Sequence, residues 1–405
     1  MNQTDTGVLV SGAGVAGLAL AYWLRRFGFR PTVVEHAPRL RTGGYGIDLR
    51  GAAVDVAERM GLLDTVRAAR TRMRGIAYVD AAGATKVELS ADVFAGAGRD
   101  RDVEIPRGDL LEILHRATAD GTEYLFGDSV AALTEGADGV EVAFERGGTR
   151  RFGLVVGADG MHSRVRALAF GPETRYRHHL GYYISICTVP DRLGREHWTL
   201  LHNEPGRLVG TARAASGAPT HAVFGFASPE LPGDRDPAVQ RRALADAFAG
   251  VGWRAPELLA EMEHAPDFYF DSISQIRLDR WSRGRIALVG DAGYCASPLS
   301  GQGTSLALVG AYVLAGELAA AGGDHAAAFA RYQERMAGFV ARNQKVALSG
   351  AGTLAPRTRA ALWLRDRTIR LLPHLPRLNG LASALDRAST AIELPDYAPT
   401  GRAVG

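Results

Sequence analysis

Three short blocks of this 405-residue chain carry residue types suited to binding phosphate and sugar. The first is Arg285 to Gly303, RIALVGDAGYCASPLSGQG. It reads as a buried strand over 286–289 that ends in Gly290-Asp291, crosses a loop at Pro298, and enters a helix at Gly301-Gln302-Gly303. A carboxylate at the end of such a strand can accept hydrogen bonds from sugar-like hydroxyls. Glycines at a helix start let backbone N–H groups approach an anion, which the helix dipole favours.

The second block lies at the N-terminus. A short apolar strand over 8–11 precedes Gly12-Ala13-Gly14-Val15-Ala16-Gly17 and an Ala/Leu-rich helix through Arg26. A second strand over 31–35 then ends in Glu35. In the dinucleotide fingerprint the first glycine makes the tight turn and the second lets a pyrophosphate approach. The third allows close helix–strand packing, and an acid about 20 residues on binds ribose hydroxyls. Gly17 and Glu35 stand 18 residues apart, which fits. The pattern suits NAD and FAD alike.

The third block is Gly157-Ala158-Asp159-Gly160-Met161-His162-Ser163-Arg164-Val165-Arg166, after a strand ending at Val156. A glycine-flanked aspartate, a serine and two arginines suit nucleotide recognition by backbone and charge. The same residues also read as a tight turn with a serine N-cap.

These blocks need a frame. Helices are predicted over 52–60 (stopping at Gly61), 106–119, 238–248, 304–321 and 326–347, and a helical tail over 356–391 is broken at Pro373 and Pro376. Residues 73–89 alternate as a hairpin around Asp80 to Gly83, and residues 124–156 read as strands. From about 176 to 278 short strands dominate, interrupted by one helix; this stretch suits a sheet that roofs a substrate cavity.

The bulk composition narrows the function classes. A chain with 46% hydrophobic residues can bury a large core, here in two intertwined domains. No signal-peptide pattern and no apolar run of about 20 residues is present, so no membrane span is expected. Two cysteines, Cys187 and Cys295, read as small core residues and point to a reducing cytoplasm. The net charge of +3 is spread along the chain, nearly all cations are arginine, and Lys86 and Lys345 are the only lysines. No basic run is interleaved with aromatics, so nucleic-acid binding is not expected.

Taken together, the three blocks resemble the single-component (class A) FAD-dependent monooxygenases of the p-hydroxybenzoate hydroxylase type, from residue 8 to about 320. The resemblance implies an α/β fold, with a Rossmann-like FAD-binding domain of the GR2 type interleaved with a β-sheet substrate domain, plus C-terminal helices. The FAD-binding domain would comprise 1–72, 100–175 and 279–345, the substrate domain 73–99 and 176–278, and the helical segment 346–405. It implies FAD as the held cofactor, with Gly12, Gly14, Gly17, Pro298, Gly301, Gln302 and Gly303 around it. Glu35 would bind the adenosine ribose and Asp291 the ribityl chain. Asp159 would sit near FAD and the path of transient NADPH or NADH.

Pro106-Arg107-Gly108-Asp109-Leu110 matches the family's Arg-x-x-Leu helix start, whose arginine contacts the flavin chain. The stretch from Arg41 to Leu49, RTGGYGIDL, is similar to a loop of the tetracycline-inactivating monooxygenases. By that likeness Asp48 lies beside FAD and Arg41 meets the NADPH phosphate. The chain departs from its family at Gly293-Tyr294, where Ala-His is usual.

The implied reaction is NAD(P)H-dependent hydroxylation of an aromatic or polyketide-like small molecule through a flavin C4a-hydroperoxide. The flavin carries the chemistry, so no catalytic side chain and no metal site is assigned. The amides of residues 299–303 are expected to face reduced-flavin charge. His178 and His179 read as surface residues in a polar connection; His202 and Arg213 fall in the substrate sheet without a role. The assembly is expected to be a monomer or homodimer. Competing readings are an FAD-dependent reductase or dehydrogenase without oxygen insertion, a non-catalytic flavin-binding or redox-sensing protein, and a flavin-dependent halogenase. The last would need an active-site lysine and a tryptophan-rich signature, whereas Lys86 sits in a hairpin and Trp198, Trp253, Trp281 and Trp363 are scattered.

Overall fold

The computed structural model describes residues 7–40, 45–90, 101–215, 217–371 and 387–397. Val8, Leu9 and Val10 are apolar on both faces and fully buried, as befits a central strand covered by helices on both sides. Gly7–Ser11 pairs in parallel with Arg30–Glu35 on one side and Leu154–Gly157 on the other. Glu123–Phe126 and Ile286–Leu288 extend the parallel sheet outward, and Ser282–Arg283 closes its edge antiparallel. All three blocks therefore begin at the same ends of neighbouring strands, the side where such sheets bind ligands.

The Val15–Arg26 helix packs on Gly303–Ala320, which is apolar all round and buried from Ser305 to Leu318. Among the described residues this is the one helix long and apolar enough to cross a membrane, and 78% of it is buried within the protein.

The seven-stranded sheet runs Tyr269–Ile276, Arg177–Val189, Thr220–Ala227, Arg207–Arg213, Trp198–Glu204, Gly75–Val79, Thr85–Ser90. Period-two alternation gives it two apolar faces. The outer face (Tyr183, Cys187, Val209, Phe224, Phe226, Phe270) packs against the helices Pro237–Phe248 and Ala255–His264. The inner face (Tyr182, Ile184, Val223, Ile273, Leu201, Leu208) packs toward Leu299 and Ala355. The inner face thus meets the loop that leads into Gly301-Gln302-Gly303.

Several expectations need correction. The 176–278 region holds two helices rather than one, because Asp236 caps Pro237–Phe248 and Ala255–His264 follows after a short turn. A short helix, Leu63–Ala68, follows Ala52–Arg59. His178 and His179 lie in the Arg177–Val189 strand, not a connection; His178 is exposed and His179 half-buried against the Ser228 carbonyl (2.9 Å). The tail is helical over Arg359–Leu371, while Pro373 and Pro376 lie outside the described residues. Residues 387–397 pack on the parallel-sheet domain, where the Tyr312 hydroxyl donates to the Pro395 carbonyl (2.6 Å) and the Tyr397 hydroxyl to Glu317 (2.7 Å).

Tyr294 is fully buried in the core of the parallel-sheet domain rather than facing a ligand. Its ring packs on Trp281 (centroids 4.6 Å apart), and the Tyr332 hydroxyl lies between its own hydroxyl (2.9 Å) and the Leu288 carbonyl (3.0 Å). Burial pushes the Tyr294 phenol up to about 12, so it stays neutral. A Cβ at Gly310 would stand 2.0 Å from this hydroxyl. G310A is expected to cost about 1–3 kcal/mol by overpacking. Y294F in the same chain should recover most of that loss, since the ring carbon behind the hydroxyl is 3.3 Å away. Additive losses in thermal melts of the single and double variants would contradict this packing.

Candidate active site

The glycine loop is built by contact. Gly12 adopts φ +106°, its amide donates to the Val34 carbonyl (2.7 Å), and a Cβ there would come within 2.6 Å of the Ala158 carbonyl oxygen. A Cβ at Gly17 would sit 1.9 Å from the Gly12 carbonyl, so the helix can lie this close only with glycine. At Gly14 a Cβ meets nothing within 4 Å. The first and third glycines therefore make the turn, and the second faces open space. Glu35 braces this loop: the Ala13 amide donates to its Oε2 (2.8 Å) and the Ala37 amide to its Oε1 (2.9 Å).

The 290–303 segment ends in the same kind of opening. Gly290 (φ +66°) turns the chain into Asp291, and Ser297 holds φ +84°. The Ser297 side chain accepts from the Leu299 amide (3.3 Å). Gly301 is left-handed (φ +59°), and neither it nor Gly303 would bring a Cβ within 4 Å of any atom, while Pro298 is exposed beside them. The Gln302 side-chain amide is buried with no partner among the described residues.

The lack of both a capping side chain and a first-turn acid sets these two helices apart from the other helices whose N-caps are described. Ala52–Arg59, Leu63–Ala68, Arg107–Arg116, Ala255–His264 and Asp291–Tyr294 are uncapped but carry an acid. Ser163, Asp236 and Asp324 cap their helices with side-chain oxygens. Val15–Arg26 and Gly303–Ala320 have no side-chain cap and no acid in their first turns. Their first N–H groups have no intrahelical partner and point where Gly14 and Gly303 leave room. An anionic, sugar-bearing ligand such as FAD fits this donor set, with uncapped helix starts for phosphate and the strand-end acids Glu35 and Asp291 for hydroxyls. Burial raises the Asp291 carboxyl, with Asp271 adding to the effect, while a hydrogen bond from Cys295 and the charge of Arg107 lower it.

Asp159 is used locally. Ser163 Oγ donates to its Oδ1 (2.5 Å), and the Arg164 and Val165 amides donate to its Oδ2 (2.8 and 3.0 Å). Ser163 in turn caps Arg164–Phe170 by accepting from the Arg166 amide (2.9 Å). These contacts build the tight turn and serine N-cap of this block.

The sequence did not reveal what surrounds His162. Its Nδ1 lies 3.1 Å from both Glu173 oxygens, and its Nε2 lies 3.1 and 3.2 Å from those of Asp271. Burial disfavours the charged ring, but the two carboxylates outweigh it and raise its pKa to about 9. Burial likewise opposes ionisation of Glu173, yet His162 and Arg235 hold it down at about 2. Fully buried Arg166 bonds Glu173 (3.0 Å), the Met161 carbonyl (2.6 Å) and the Ala292 carbonyl (2.9 Å). His162 and Asp271 are 109 residues apart, so no local pattern could pair them.

Asp271 also accepts from the Tyr269 hydroxyl (3.2 Å). Tyr269 and Tyr45 keep 42% and 37% of their surface accessible. Burial raises both phenols, and the charges acting on Tyr45 come from Arg107, Asp291, Cys295 and Asp271. Arg107 opens the Arg107–Arg116 helix, its amide donating to the Tyr45 carbonyl (3.1 Å). Asp48 pairs with Arg50 (2.8 Å) and stands opposite Glu104 across a two-stranded ladder. Burial, and then the Asp48 charge, raise Glu104 to about 7. Arg41 lies outside the described residues.

His202 and Arg213 turn away from the inner face. His202 Nδ1 contacts the Val79 carbonyl (3.1 Å), and Arg213 pairs with Asp191 (3.2 Å). Cys187 sits in the outer-face core, where burial pushes its thiol up to about 12. Cys295 is buried as well, beside Asp291 rather than in a purely apolar core.

A model of the FAD binding domain family matches residues 5–344. The chain belongs to this family. It is 50% identical over 342 residues to an uncharacterized protein of Mycobacterium tuberculosis (strain ATCC 25618 / H37Rv), covering 83% of this chain and 91% of that one. It is 40% identical to a flavin-dependent monooxygenase of Legionella longbeachae serogroup 1 (strain NSW150) over 96% of this chain and 98% of the other. The crystal structure of tetracycline destructase Tet(55) superposes with a TM-score of 0.84 at 41% identity, covering 98% of this chain and 100% of that structure. The chain is an FAD-dependent monooxygenase of the α/β type read from its motifs.

The glycines separate folding from binding. G14V and G303V place a side chain in open space, so they should leave the melting temperature of the FAD-free protein unchanged and cut its flavin content after reconstitution at least tenfold. G17A should instead lower the melting temperature itself, since its Cβ meets backbone.

His162 generates a pH prediction. Its folded pKa of about 9 lies above the ordinary 6.5 of histidine. The stability it contributes is present below pH 6.5 and is lost as pH rises through 9. Denaturation midpoints of the wild type should fall across that window, and those of H162Q should be lower at pH 6.5 and flatter between the two. Parallel curves would show that the imidazolium contributes nothing.

Proposed function

We propose that this chain consumes NADPH or NADH to insert one oxygen atom from dioxygen into an aromatic or polyketide-like small molecule. The carrying observation is the pair of helix starts without side-chain caps, open at Gly14 and Gly303, on helices whose Ala16 and Ala307 both lie against Gly290. Bound FAD would take reducing equivalents from the nicotinamide and pass them to dioxygen. The chain's own residues would bind and orient. Gly12, Gly14 and Gly17 would admit the pyrophosphate to the first helix start, Glu35 would hold the adenosine ribose, and Arg107 and Asp291 the flavin chain. Pro298, Gly301 and Gln302 would shape the turn around the flavin, and Gly303 would present its backbone amide to negative charge on the ring, since the Leu299, Ser300, Gly301 and Gln302 amides donate within the turn itself. Asp48 would lie beside FAD on its short ladder. Asp159 would sit near FAD and the path of NADPH or NADH, in the turn that touches Gly12.

The apolar inner face of the seven-stranded sheet would exclude water from the reacting centre. The likeness to a tetracycline destructase supports a large conjugated substrate. Lys86 is exposed on an edge strand of that sheet, which leaves a halogenase without its lysine.

The purified protein should be yellow, and a panel of phenols, polyketides and tetracyclines should contain compounds that accelerate its NADPH oxidation. Labelled dioxygen should deliver one labelled atom to the product. A colourless protein that takes up no added FAD, or a product without label, defeats this reading; the second outcome would turn it into a reductase or dehydrogenase.

A further inference from the structure

The Arg359–Leu371 helix has two dissimilar sides. Its inner side is docked: Ile369 packs with Val87 and Leu89. Arg365 lies over the Tyr78 ring (4.4 Å) and bonds Asn203 (3.1 Å) and Asp366 (2.9 Å). Its outer side, at positions 360, 363, 364, 367 and 371, follows the i, i+3, i+4, i+7 spacing of one helix face. Trp363, Leu364 and Leu371 on it are 59%, 61% and 52% exposed. Such a contiguous set on one element is unlike the scattered apolar residues of an ordinary surface.

Cations rim this apolar stripe. Arg359, Arg367 and Arg370 are exposed, and the Arg367 guanidinium lies over the Trp363 ring (4.8 Å). Arg370 bonds the Lys86 carbonyl (2.9 Å), which brings a further exposed cationic residue beside the helix. The helix's one acid, Asp366, is engaged by Arg365.

We propose that this face docks on a lipid bilayer surface carrying anionic headgroups. The helix would lie in the plane of the interface, with Trp363, Leu364 and Leu371 entering the acyl boundary and the arginines meeting headgroup charge. Charge complementarity selects this occupant. A second copy of the chain would bring the same cations face to face, and three apolar side chains bury far less than the roughly 800 Å² per partner of a stable protein interface. The inference does not depend on which substrate the enzyme takes.

Flotation of the FAD-loaded full-length protein with vesicles tests it. The protein should float with phosphatidylcholine vesicles containing phosphatidylglycerol and stay behind with phosphatidylcholine alone. Raising salt from about 0.1 to about 1 M should release it. W363S/L364S should lower the partition constant roughly tenfold or more by removing apolar insertion. R367Q/R370Q should lower it by roughly tenfold and flatten the salt dependence. Both variants change exposed side chains, so circular dichroism and flavin content should match the wild type. Partition that is equal in both vesicle types, or unaffected by W363S/L364S, overturns the proposal. So does a dimer in sedimentation that W363S/L364S dissociates, which would assign the face to a second copy.

Discussion

A single fully buried guanidinium ties two of the three chemical blocks of this protein to each other and, through Glu173, to the seven-stranded sheet. Arg166 reaches the Ala292 carbonyl in the segment after Asp291, the Met161 carbonyl in its own block, and Glu173. Glu173 passes the connection on through His162 to Asp271 on the edge strand of the seven-stranded sheet. A buried charge is tolerated only when it is paired and hydrogen-bonded, and deleting one partner strands the others. The junction is therefore better understood as fixing geometry than as adding stability. It links the edge strand of that sheet to the segments after Asp159 and Asp291.

Around that junction, the structure divides its helix starts into two kinds. Those with an electrostatic closure have a serine or aspartate cap, each contributing about 1 kcal/mol, or an acid in the first turn. Val15–Arg26 and Gly303–Ala320 have neither, and their first backbone donors stay without a side-chain partner. Their glycines serve opposite ends. Gly12 and Gly17 are glycine because backbone crowds them, whereas a Cβ at Gly14 or Gly303 would enter open space.

The departure from the usual family motif at Tyr294 follows the same logic of space. The phenol is absorbed into the domain core, where Gly310 vacates the volume its hydroxyl fills and Tyr332 supplies the polar contact. The loop beyond it still delivers Gly301, Gln302 and Gly303 to the helix start. A motif residue can thus change without disturbing the backbone donors that the motif exists to present.

Much of the site was legible in one dimension, because glycine turns, strand-end acids and helix starts are local. The spacing from Gly12 to Glu35, the strand before Asp291 and the block around Asp159 each specify their own geometry through steric and capping rules that act over a few residues. The period-two and period-3.6 patterns likewise marked most strands and long helices, missing short ones such as Leu63–Ala68 and Ala255–His264, where few turns carry the pattern. What the sequence could not hold is the pairing of groups far apart along the chain. Sidedness alone turns His202 and Arg213 away from the inner face and Tyr269 and Asp271 toward it, since a strand sends neighbouring side chains to opposite faces. Only the folded chain brings Glu173, His162 and Asp271 together, because ionic contacts over such separations depend on how whole sheets are stacked.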